Sequence, residues 1–266
     1  MDLTMIYSAP ENEKPLDRLV TDGGFCGIFR TIACIGDSLS SGEFESLNSE
    51  GKVGWHDYFD YSWGQYLARM AGLTVYNFSR GGLAAPDYFA FAEQKGYFDA
   101  DKAAQGYIIA LGVNDLSRVG KGELEFGDIS DIDLNDYKNN KKTFVGCYAA
   151  IIQKYKEIQP KAKFFLMTIP NNGTENPNAE KHRNILYKLA EVFENTYILD
   201  FRKYAPVYDE EFRNLFFLAG HMNAAGYLVT AQMVASYIDY IIRHNMDDFR
   251  QIGFVGTDFH NVNYKW

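Results

Sequence analysis

The sequence predicts an α/β fold built on a parallel sheet. Short apolar runs of strand length alternate along the chain with longer segments whose apolar residues recur at helical spacing. Several of the short runs end in glycine and polar residues, which is typical of strands whose carboxyl ends carry a ligand site. This alternation favours one doubly wound sheet, because parallel neighbours need a crossover that a helix usually supplies.

Five strands and five helices are predicted. The strands cover residues 32–35, 73–78, 107–111, 163–169 and 196–199. The helices cover residues 63–70, 86–94, 137–158 and 179–193, with a last helix that begins after Asn223 and reaches Ile241. Residues 42–62 are predicted as a long loop rich in acidic and aromatic residues, and residues 116–136 as a loop because they are polar and contain glycine.

Length and charge limit the possible functions. The chain of 266 residues is expected to form one domain, with an N-terminal arm at residues 1–29 and an aromatic tail at residues 247–266. The net charge of −9 argues against nucleic acid as a partner, because phosphate contacts need a basic face. No apolar run approaches the length of a membrane span, so no membrane partner is expected. The sequence leaves the oligomeric state open.

The cysteines indicate a reducing environment. Cys26, Cys34 and Cys147 are odd in number and lack the spacing of metal ligands, so buried free thiols are expected. The first fifteen residues lack the apolar core of a signal peptide. A cytoplasmic location is the expectation that follows.

Polar groups that could support chemistry follow three of the predicted strands. Residues 36–38 (Gly-Asp-Ser) end the first strand, the glycine pair 81–82 follows the second, and residues 112–115 (Gly-Val-Asn-Asp) follow the third. A serine at such an edge is a nucleophile only if a base and oxyanion donors reach it. His221, just before the last helix, is the candidate base. Taken singly, each group is also ordinary turn chemistry.

Together and in this order, these groups resemble the SGNH (GDSL) family of serine esterases and acyl hydrolases. Residues 36–40 (Gly-Asp-Ser-Leu-Ser) match the family's first block, Asn77 with Gly82 matches the second, and residues 112–115 match the third. His221 lies where the fifth block has the catalytic histidine. The resemblance covers residues 31–243, the body of the predicted domain.

The resemblance implies a three-layer, flavodoxin-like sandwich with a five-stranded parallel sheet in the order 2-1-3-4-5. It also implies that Ser38 is the nucleophile and that His221 is its general base and later general acid. The backbone N–H groups of Ser38 and Gly82 and the side-chain amide of Asn114 would stabilise the oxyanion. The residue types agree with these roles, because glycine lets a main-chain donor approach closely and asparagine is a neutral donor. No cofactor and no metal is implied.

One position departs from the family pattern. The family usually has an aspartate three residues before the histidine, and this sequence has Leu218 there. We expect a main-chain carbonyl near Leu218 to orient His221, which would leave a Ser–His dyad. A carbonyl can fix the tautomer of the ring but offers an imidazolium less than a full negative charge. The alternative is an acid from elsewhere in the chain, Asp200, Asp209 or Glu210.

Other polar residues have weaker claims to a role. Asp37 and Asp115 adjoin the candidate site residues and are interpreted as hydrogen-bonding scaffolds of their turns. His56 with Asp57 is a competing pair, more as a substrate contact than as a base. The predicted loop that holds this pair is either a pocket wall or an ordinary surface loop. The remaining histidines are expected to be solvated or too poor in partners to bind a metal: His182, His244, and His260 with Asp258.

The leading hypothesis is an esterase of small acyl groups that forms an acyl-enzyme on Ser38. The aromatic segment 42–62 and the loop 171–173 (Asn-Asn-Gly) favour a polar alcohol such as an acylated sugar, although thioesters and lysophospholipids use the same chemistry. A catalytically idle ligand- or carbohydrate-binding module is the alternative, and the leucine at position 218 supports it. A flavodoxin-like cofactor domain is disfavoured, because no glycine cluster has a phosphate-binding pattern.

Overall fold

The structure, a computed structural model, describes residues 7–266, so the first six residues of the predicted N-terminal arm lie outside the described part. The strands, in chain order, are β1 (Thr31–Gly36), β2 (Glu43–Leu47), β3 (Val53–Asp57), β4 (Thr74–Ser79), β5 (Gly106–Ala110), β6 (Lys163–Met167), β7 (Thr196–Leu199), β8 (Phe217–Leu218) and β9 (His221–Met222). The α-helices are α1 (Ser38–Ser41), α2 (Trp63–Ala71), α3 (Tyr88–Gln94), α4 (Val113–Gly120), α5 (Phe144–Ile158), α6 (Pro177–Val192), α7 (Phe201–Tyr204), α8 (Glu210–Phe216), α9 (Ala224–His244) and α10 (Met246–Phe249).

A five-stranded parallel sheet forms the centre of the fold. Its order is β4-β1-β5-β6-β7, which is 2-1-3-4-5 when only the strands of this sheet are counted, as predicted. Strand β1 lies between β4 and β5, so that Cys34 pairs with Asn77 on one side and with Ile108 on the other. Because both faces of β1 are covered, its sequence is a continuous apolar run and not an alternating one.

Helices cover both faces of the sheet and complete three layers. Ile32 and Cys34 of β1 point into a core shared with α2 and α9. Ala33 and Ile35 point the other way, into a core shared with α3, α5 and α6. Successive strand residues alternate between faces, so one short strand contributes to both cores. The predicted three-layer sandwich is confirmed.

The structure differs from the sequence-based prediction in both segments that were expected to be loops. Residues 42–62 contain the antiparallel hairpin of β2 and β3, where a loop was expected. Both strands are largely polar and partly or fully exposed, so they lack the apolar run that marks a buried strand. The first residues of the segment 116–136 belong to helix α4, which reaches Gly120 and buries Leu116.

The long helix α5 begins later than predicted. The apolar spacing predicted a helix from residue 137, but α5 starts at Phe144. The Thr143 side chain accepts a hydrogen bond from the Gly146 N–H at 3.1 Å, which caps the helix at that point. The residues before Thr143 form only a short 3-10 helix, Tyr137–Asn139.

Residues 13–20 and residue 252, toward the two ends of the described chain, pack near the amino edge of the sheet. The Val20 N–H donates to the Ser236 side chain of α9 at 2.9 Å, and Glu13 pairs with the buried Arg243 at 2.6 Å. On the C-terminal side, the Gln105 amide donates to the Ile252 carbonyl at 2.9 Å. Gln105 directly precedes β5 and Arg243 lies in the last turn of α9, so these contacts are far from the edge that carries Ser38.

The three cysteines are free thiols in the structure. Cys26 and Cys34 are buried, as expected, whereas Cys147 of α5 is only partly buried. Burial raises the pKa of Cys26 to about 12 and that of Cys147 to about 11, so neither side chain is an activated thiolate. Over residues 7–266, none of the helices combines the length and the apolar composition that crossing a membrane requires.

Candidate active site

The turn after β1 places Ser38 at the carboxyl edge of the sheet. Strand β1 ends at Gly36, where any larger side chain would collide with Ser40. The Asp37 carboxylate caps α1 by accepting a hydrogen bond from the Leu39 N–H at 3.1 Å. Ser38 is therefore the first residue of α1, and it is partly exposed at the edge of the sheet.

Two further strand ends lie beside Ser38. Strands β4 and β5 flank β1, so the turns that contain Gly82 and Asn114 border the same edge. The side-chain amide of Asn114 donates to the Leu83 carbonyl at 3.1 Å and to the Asp37 carboxylate at 3.4 Å. Asn114 thereby links the three turns that carry the matching sequence blocks.

The backbone donors predicted for the oxyanion have no acceptors of their own. Within residues 7–266, the N–H groups of Ser38 and Gly82 donate no hydrogen bond. Gly82 has a φ of 71°, in the left-handed region that favours glycine, and nothing lies within 4 Å of where its Cβ would be. Both donors are therefore available to a bound group.

Burial raises the pKa of two carboxyl groups at this edge. The pKa of Asp37 is raised to about 7 and that of Asp115 to about 6, chiefly because burial penalises the charged form. One Asp115 oxygen accepts the Ala85 N–H at 2.8 Å, and the other has no partner among the described residues. Asp37 contacts its own turn and Asp115 joins the turns after β4 and β5, as scaffold residues would.

His221 reaches the same edge from the other end of the chain. It belongs to β9, which pairs with β8 so that Leu218 lies opposite His221. The Asn223 side chain accepts the Gly226 N–H at 2.9 Å and caps α9 directly after this small hairpin. Strand β9 lies next to α1, which begins with Ser38. In the described part of the chain, however, no hydrogen bond joins the side chains of Ser38 and His221.

Both ring nitrogens of His221 face glutamates of β2. Nε2 lies 3.0 Å from Oε1 of Glu43, and Nδ1 lies 3.3 Å from Oε2 of Glu45. The three side chains are largely buried, at 16% exposure for His221, 13% for Glu43 and 19% for Glu45. Sequence-based prediction named neither glutamate.

The orienting groups that were expected do not contact the ring. Over residues 7–266, the His221 ring makes no hydrogen bond with the carbonyl of Leu218. Asp200 pairs with an arginine of α6, Asp209 caps α8, and no bond joins Glu210 to the ring. The ring faces β2 instead, because carboxylates are stronger acceptors for an imidazole N–H than a peptide carbonyl is.

Strand alternation explains why both glutamates face His221. Side chains two positions apart point to the same face of a strand, so Glu43 and Glu45 share one face and Phe44 occupies the other. The ring of Phe44 packs against aromatic side chains on its own side, those of Tyr58, Tyr61 and Tyr227. The acid–aromatic–acid pattern directly after the Ser38 turn is the sequence signal that could have identified the pair.

Gly42 directs the hairpin back toward the site. Its φ is 83°, and a Cβ at this position would lie 2.6 Å from the Tyr58 carbonyl oxygen. The Tyr58 N–H donates to the Gly42 carbonyl at 2.9 Å, and the Ser41 hydroxyl donates to Asp57 at 2.5 Å. The hairpin therefore starts at the end of α1, and the segment 42–62 borders the candidate site.

The competing pair His56 and Asp57 does not form a catalytic unit. Nε2 of His56 contacts the Ser46 hydroxyl at 2.9 Å, whereas Asp57 accepts a hydrogen bond from Ser41. The two residues are neighbours in β3, so their side chains point to opposite faces. In residues 7–266, no group of three or more His, Cys, Asp or Glu side chains is arranged to hold a metal ion.

The expectation that His182 is solvated was wrong. Its side chain is completely buried in α6, because the inward face of this otherwise polar helix packs against the turn after β5. Nε2 lies 3.2 Å from the Leu111 carbonyl, and a side chain at Gly112 would clash with the ring. Burial lowers the pKa of His182 to about 4. His182 thus supports the turn that carries Asn114 as a neutral ring.

A cavity of about 260 Å³ adjoins the site. Its lining includes the neighbours in sequence of both candidate catalytic residues, Leu39 beside Ser38 and Gly220 and Met222 beside His221. Its other walls include apolar side chains from both halves of the chain, among them Trp63, Met167, Phe201 and Phe217. Ser38, Gly82, Asn114 and His221 are not themselves among the lining residues, so the cavity lies beside the candidate site and is not the site itself.

The family comparison covers this whole site. The sequence model of the GDSL-like lipase/acylhydrolase family matches residues 34–229, a span that includes Ser38, Gly82, Asn114 and His221. No curated protein matches the sequence.

Several solved structures share the fold. A family two carbohydrate esterase from Clostridium thermocellum, solved in complex with cellohexaose, matches with a TM-score of 0.55 and 16% identity over 89% of this chain and 66% of its own. A carbohydrate esterase family 2 enzyme with a carbohydrate binding domain, from Corynascus thermopiles, matches with a TM-score of 0.51 and 18% identity over 79% and 65%. The acetyl xylan esterase AlAXEase matches with a TM-score of 0.50 and 18% identity over 78% and 99%.

At these identities the likeness establishes the fold alone, and the chain spans about two thirds of the length of the first two enzymes. The family match establishes membership of the family as well as the fold, because it covers more than half of the chain and every turn that borders Ser38. The sheet order agrees with it. The chain belongs to the GDSL-like lipase/acylhydrolase family.

Proposed function

We propose that the protein hydrolyses carboxylic esters of small acyl groups, with Ser38 as nucleophile and His221 as general base. The observation that carries this proposal is the meeting of four distant segments at one sheet edge. The strands before Ser38, Gly82 and Asn114 are neighbours in the sheet, and β9, which holds His221, lies next to α1. A nucleophile, a base and oxyanion donors are the parts that acyl transfer to a serine requires.

In the proposed reaction, Ser38 Oγ bonds to the acyl carbon while its proton passes to Nε2 of His221. The N–H groups of Ser38 and Gly82 and the amide of Asn114 receive the oxyanion. The bond between the acyl carbon and the alcohol oxygen then breaks, and His221 gives the proton to the leaving alcohol. A water molecule that His221 deprotonates attacks the acyl-enzyme, which releases the acid and restores Ser38.

The substrate class that we propose is an acylated carbohydrate with a small acyl group. The hairpin that borders the site exposes aromatic rings, with Trp55 at 61% and Tyr58 at 54% exposure. Flat aromatic faces of this kind can stack on sugar rings while leaving their hydroxyl groups in water. The names of the structurally similar carbohydrate esterases and of the acetyl xylan esterase agree with this class.

A carbohydrate-binding module without turnover is the second candidate function. One observation favours it: Nε2 of His221 faces Glu43 and not the hydroxyl of Ser38. In such a protein the same edge would hold a ligand without cleaving it.

Hydrolysis of p-nitrophenyl acetate and of acetylated xylose separates the two candidates. We expect turnover by the wild type and a loss of at least about 10³-fold in kcat for Ser38→Ala and His221→Ala. Ser46→Ala, on the same hairpin, is the control and should retain the wild-type rate. Equal rates in the wild type and Ser38→Ala would remove Ser38 from the mechanism. Sugar binding without hydrolysis by the wild type would favour the binding module.

A further inference from the structure

Glu43 and Glu45 hold the two ring nitrogens of His221 in different ways. The Glu45 carboxylate contacts Nδ1 at 3.3 Å and also accepts the Gly220 N–H at 3.0 Å. The Glu43 carboxylate lies 3.0 Å from Nε2 as an ion-pair contact, and within residues 7–266 it accepts no hydrogen bond. Its second oxygen borders Gly81, beside the turn that carries Gly82. Glu45 is therefore held by two hydrogen bonds, whereas Glu43 has only its contact with the ring.

Only one nitrogen of the His221 ring can serve as a base in this arrangement. The hydrogen bond from Nδ1 to the Glu45 carboxylate needs a proton on Nδ1, because a carboxylate only accepts. A base that accepts the Ser38 proton must do so at Nε2, because Nδ1 is held by Glu45. Glu43 must leave Nε2 before the proposed reaction begins.

The surroundings of Glu43 determine what can replace His221 as its partner. Glu43 is largely buried, and burial together with the neighbouring Asp57 and Glu45 raises its pKa. A carboxyl group that loses its contact in a largely buried place needs a new hydrogen-bonding partner. A hydroxyl group can donate to a carboxyl oxygen, whereas an alkyl group cannot.

We propose that Glu45 is a positioning residue for His221 and that Glu43 recognises a hydroxyl group on the alcohol part of the substrate. Glu43 leaves Nε2, and its carboxyl group accepts a hydrogen bond from the substrate hydroxyl. Nε2 then carries the lone pair that accepts the Ser38 proton, while Nδ1–H stays on Glu45. The inference rests on the proposed hydrolytic function and narrows its substrates to esters of polyols and sugars with a free hydroxyl near the ester.

Two esters with the same acyl group test the role of Glu43. Glycerol monoacetate carries hydroxyl groups on its alcohol part, and ethyl acetate carries none. We expect Glu43→Ala to reduce the ratio of kcat/KM for glycerol monoacetate to kcat/KM for ethyl acetate roughly tenfold or more. Glu43→Gln should keep this ratio close to that of the wild type, because the amide oxygen can accept the same hydrogen bond. An unchanged ratio in Glu43→Ala would overturn the assignment.

The role of Glu45 has a different kinetic signature. Glu45→Ala should lower kcat for both esters by at least about tenfold while the ratio between them stays at the wild-type value. Glu50→Ala is the matched control, since Glu50 lies on the same hairpin and is exposed. Equal kinetics for Glu45→Ala and Glu50→Ala would contradict the positioning role.

A measurement without turnover keeps this inference separate from the proposed hydrolysis. In ¹⁵N NMR spectra of the ligand-free protein, Glu45→Ala should shift the Nδ1 resonance of His221 and Glu43→Ala should shift the Nε2 resonance. Both shifts would appear even in a protein that cleaves no ester. Ring resonances that match the wild type in both variants would overturn the two contacts, whatever the outcome for Ser38→Ala.

Discussion

The side-chain amide of Asn114 lies 3.4 Å from the carboxylate of Asp37, although 77 residues separate them in the chain. The contact joins the turn after β1 to the turn after β5. It forms because parallel strands that pair side by side place their carboxyl ends together. Both N–H groups of this amide are engaged in the ligand-free protein, with Leu83 and Asp37, so one of them must exchange its acceptor for the oxyanion when a substrate binds.

Replacement of Asn114 by alanine is expected to lower kcat about 10²- to 10³-fold, because one of three proposed oxyanion donors is lost. Steady-state hydrolysis of p-nitrophenyl acetate measures the effect, and the free energy of unfolding shows whether the variant stays folded. Asn184→Ala, on the exposed side of α6, is the control. A kcat within twofold of the wild type for Asn114→Ala would contradict the proposed role.

Replacement of Asp37 by asparagine is expected to flatten the dependence of stability on pH. Burial raises the pKa of Asp37 from 3.8 to about 7, so between these values the folded protein holds a proton that the unfolded chain has lost. This contribution to stability is complete below pH 3.8 and is lost as the pH rises toward 7, at up to about 1.4 kcal/mol per pH unit. Asparagine does not titrate, yet it can still accept the Leu39 N–H.

Urea unfolding of the wild type and of Asp37→Asn at pH 4.5, 5.5, 6.5 and 7.5 measures this effect. The free energy of unfolding should fall less steeply with rising pH in the variant. Asp115, whose pKa is raised to about 6, titrates in the same direction in both proteins and leaves a shared residual slope. Parallel curves for the two proteins would show that Asp37 is not the group responsible.

Replacement of Gly42 by alanine is expected to destabilise the protein by about 1–3 kcal/mol more than replacement of Gly51. Both glycines have positive φ values, 83° for Gly42 and 78° for Gly51. A Cβ at Gly42 would press against the Tyr58 carbonyl, whereas nothing lies within 4 Å of a Cβ at Gly51. Chemical denaturation of the two variants gives the difference. Equal losses would mean that the close contact with Tyr58 contributes nothing.

The Gly42 variant should also lose activity, because the strand that carries Glu43 and Glu45 starts at this residue. Gly51→Ala lies at the tip of the hairpin and should keep the wild-type kcat. Similar kcat values for both variants would show that the placement of the hairpin does not influence the reaction.

The central sheet and its turns could be predicted because the information for them is local. A buried parallel strand is apolar on both faces, so β1 and β6 are visible as short apolar runs. Ser38 and Asn114 follow such strands within a few positions. The strand order came from the family resemblance, and the structure confirmed it.

The hairpin and the partners of His221 could not be predicted in this way. Strands β2 and β3 are polar and partly exposed, so their composition was that of a loop. The contact between Glu45 and His221 joins residues 176 positions apart, and no local pattern in either segment specifies the other. The burial of His182 was missed for a similar reason, because it depends on which face of α6 meets the turn before Asn114.

By itself, the sequence determined the fold class, the strands of the central sheet and the residues at their carboxyl ends, because apolar runs and turn residues act over a few neighbouring positions. Only the tertiary structure decided that two glutamates of a polar hairpin, and not a carbonyl near Leu218, meet the imidazole of His221. That choice depends on how β2 packs against β9, which is a property of the folded chain as a whole.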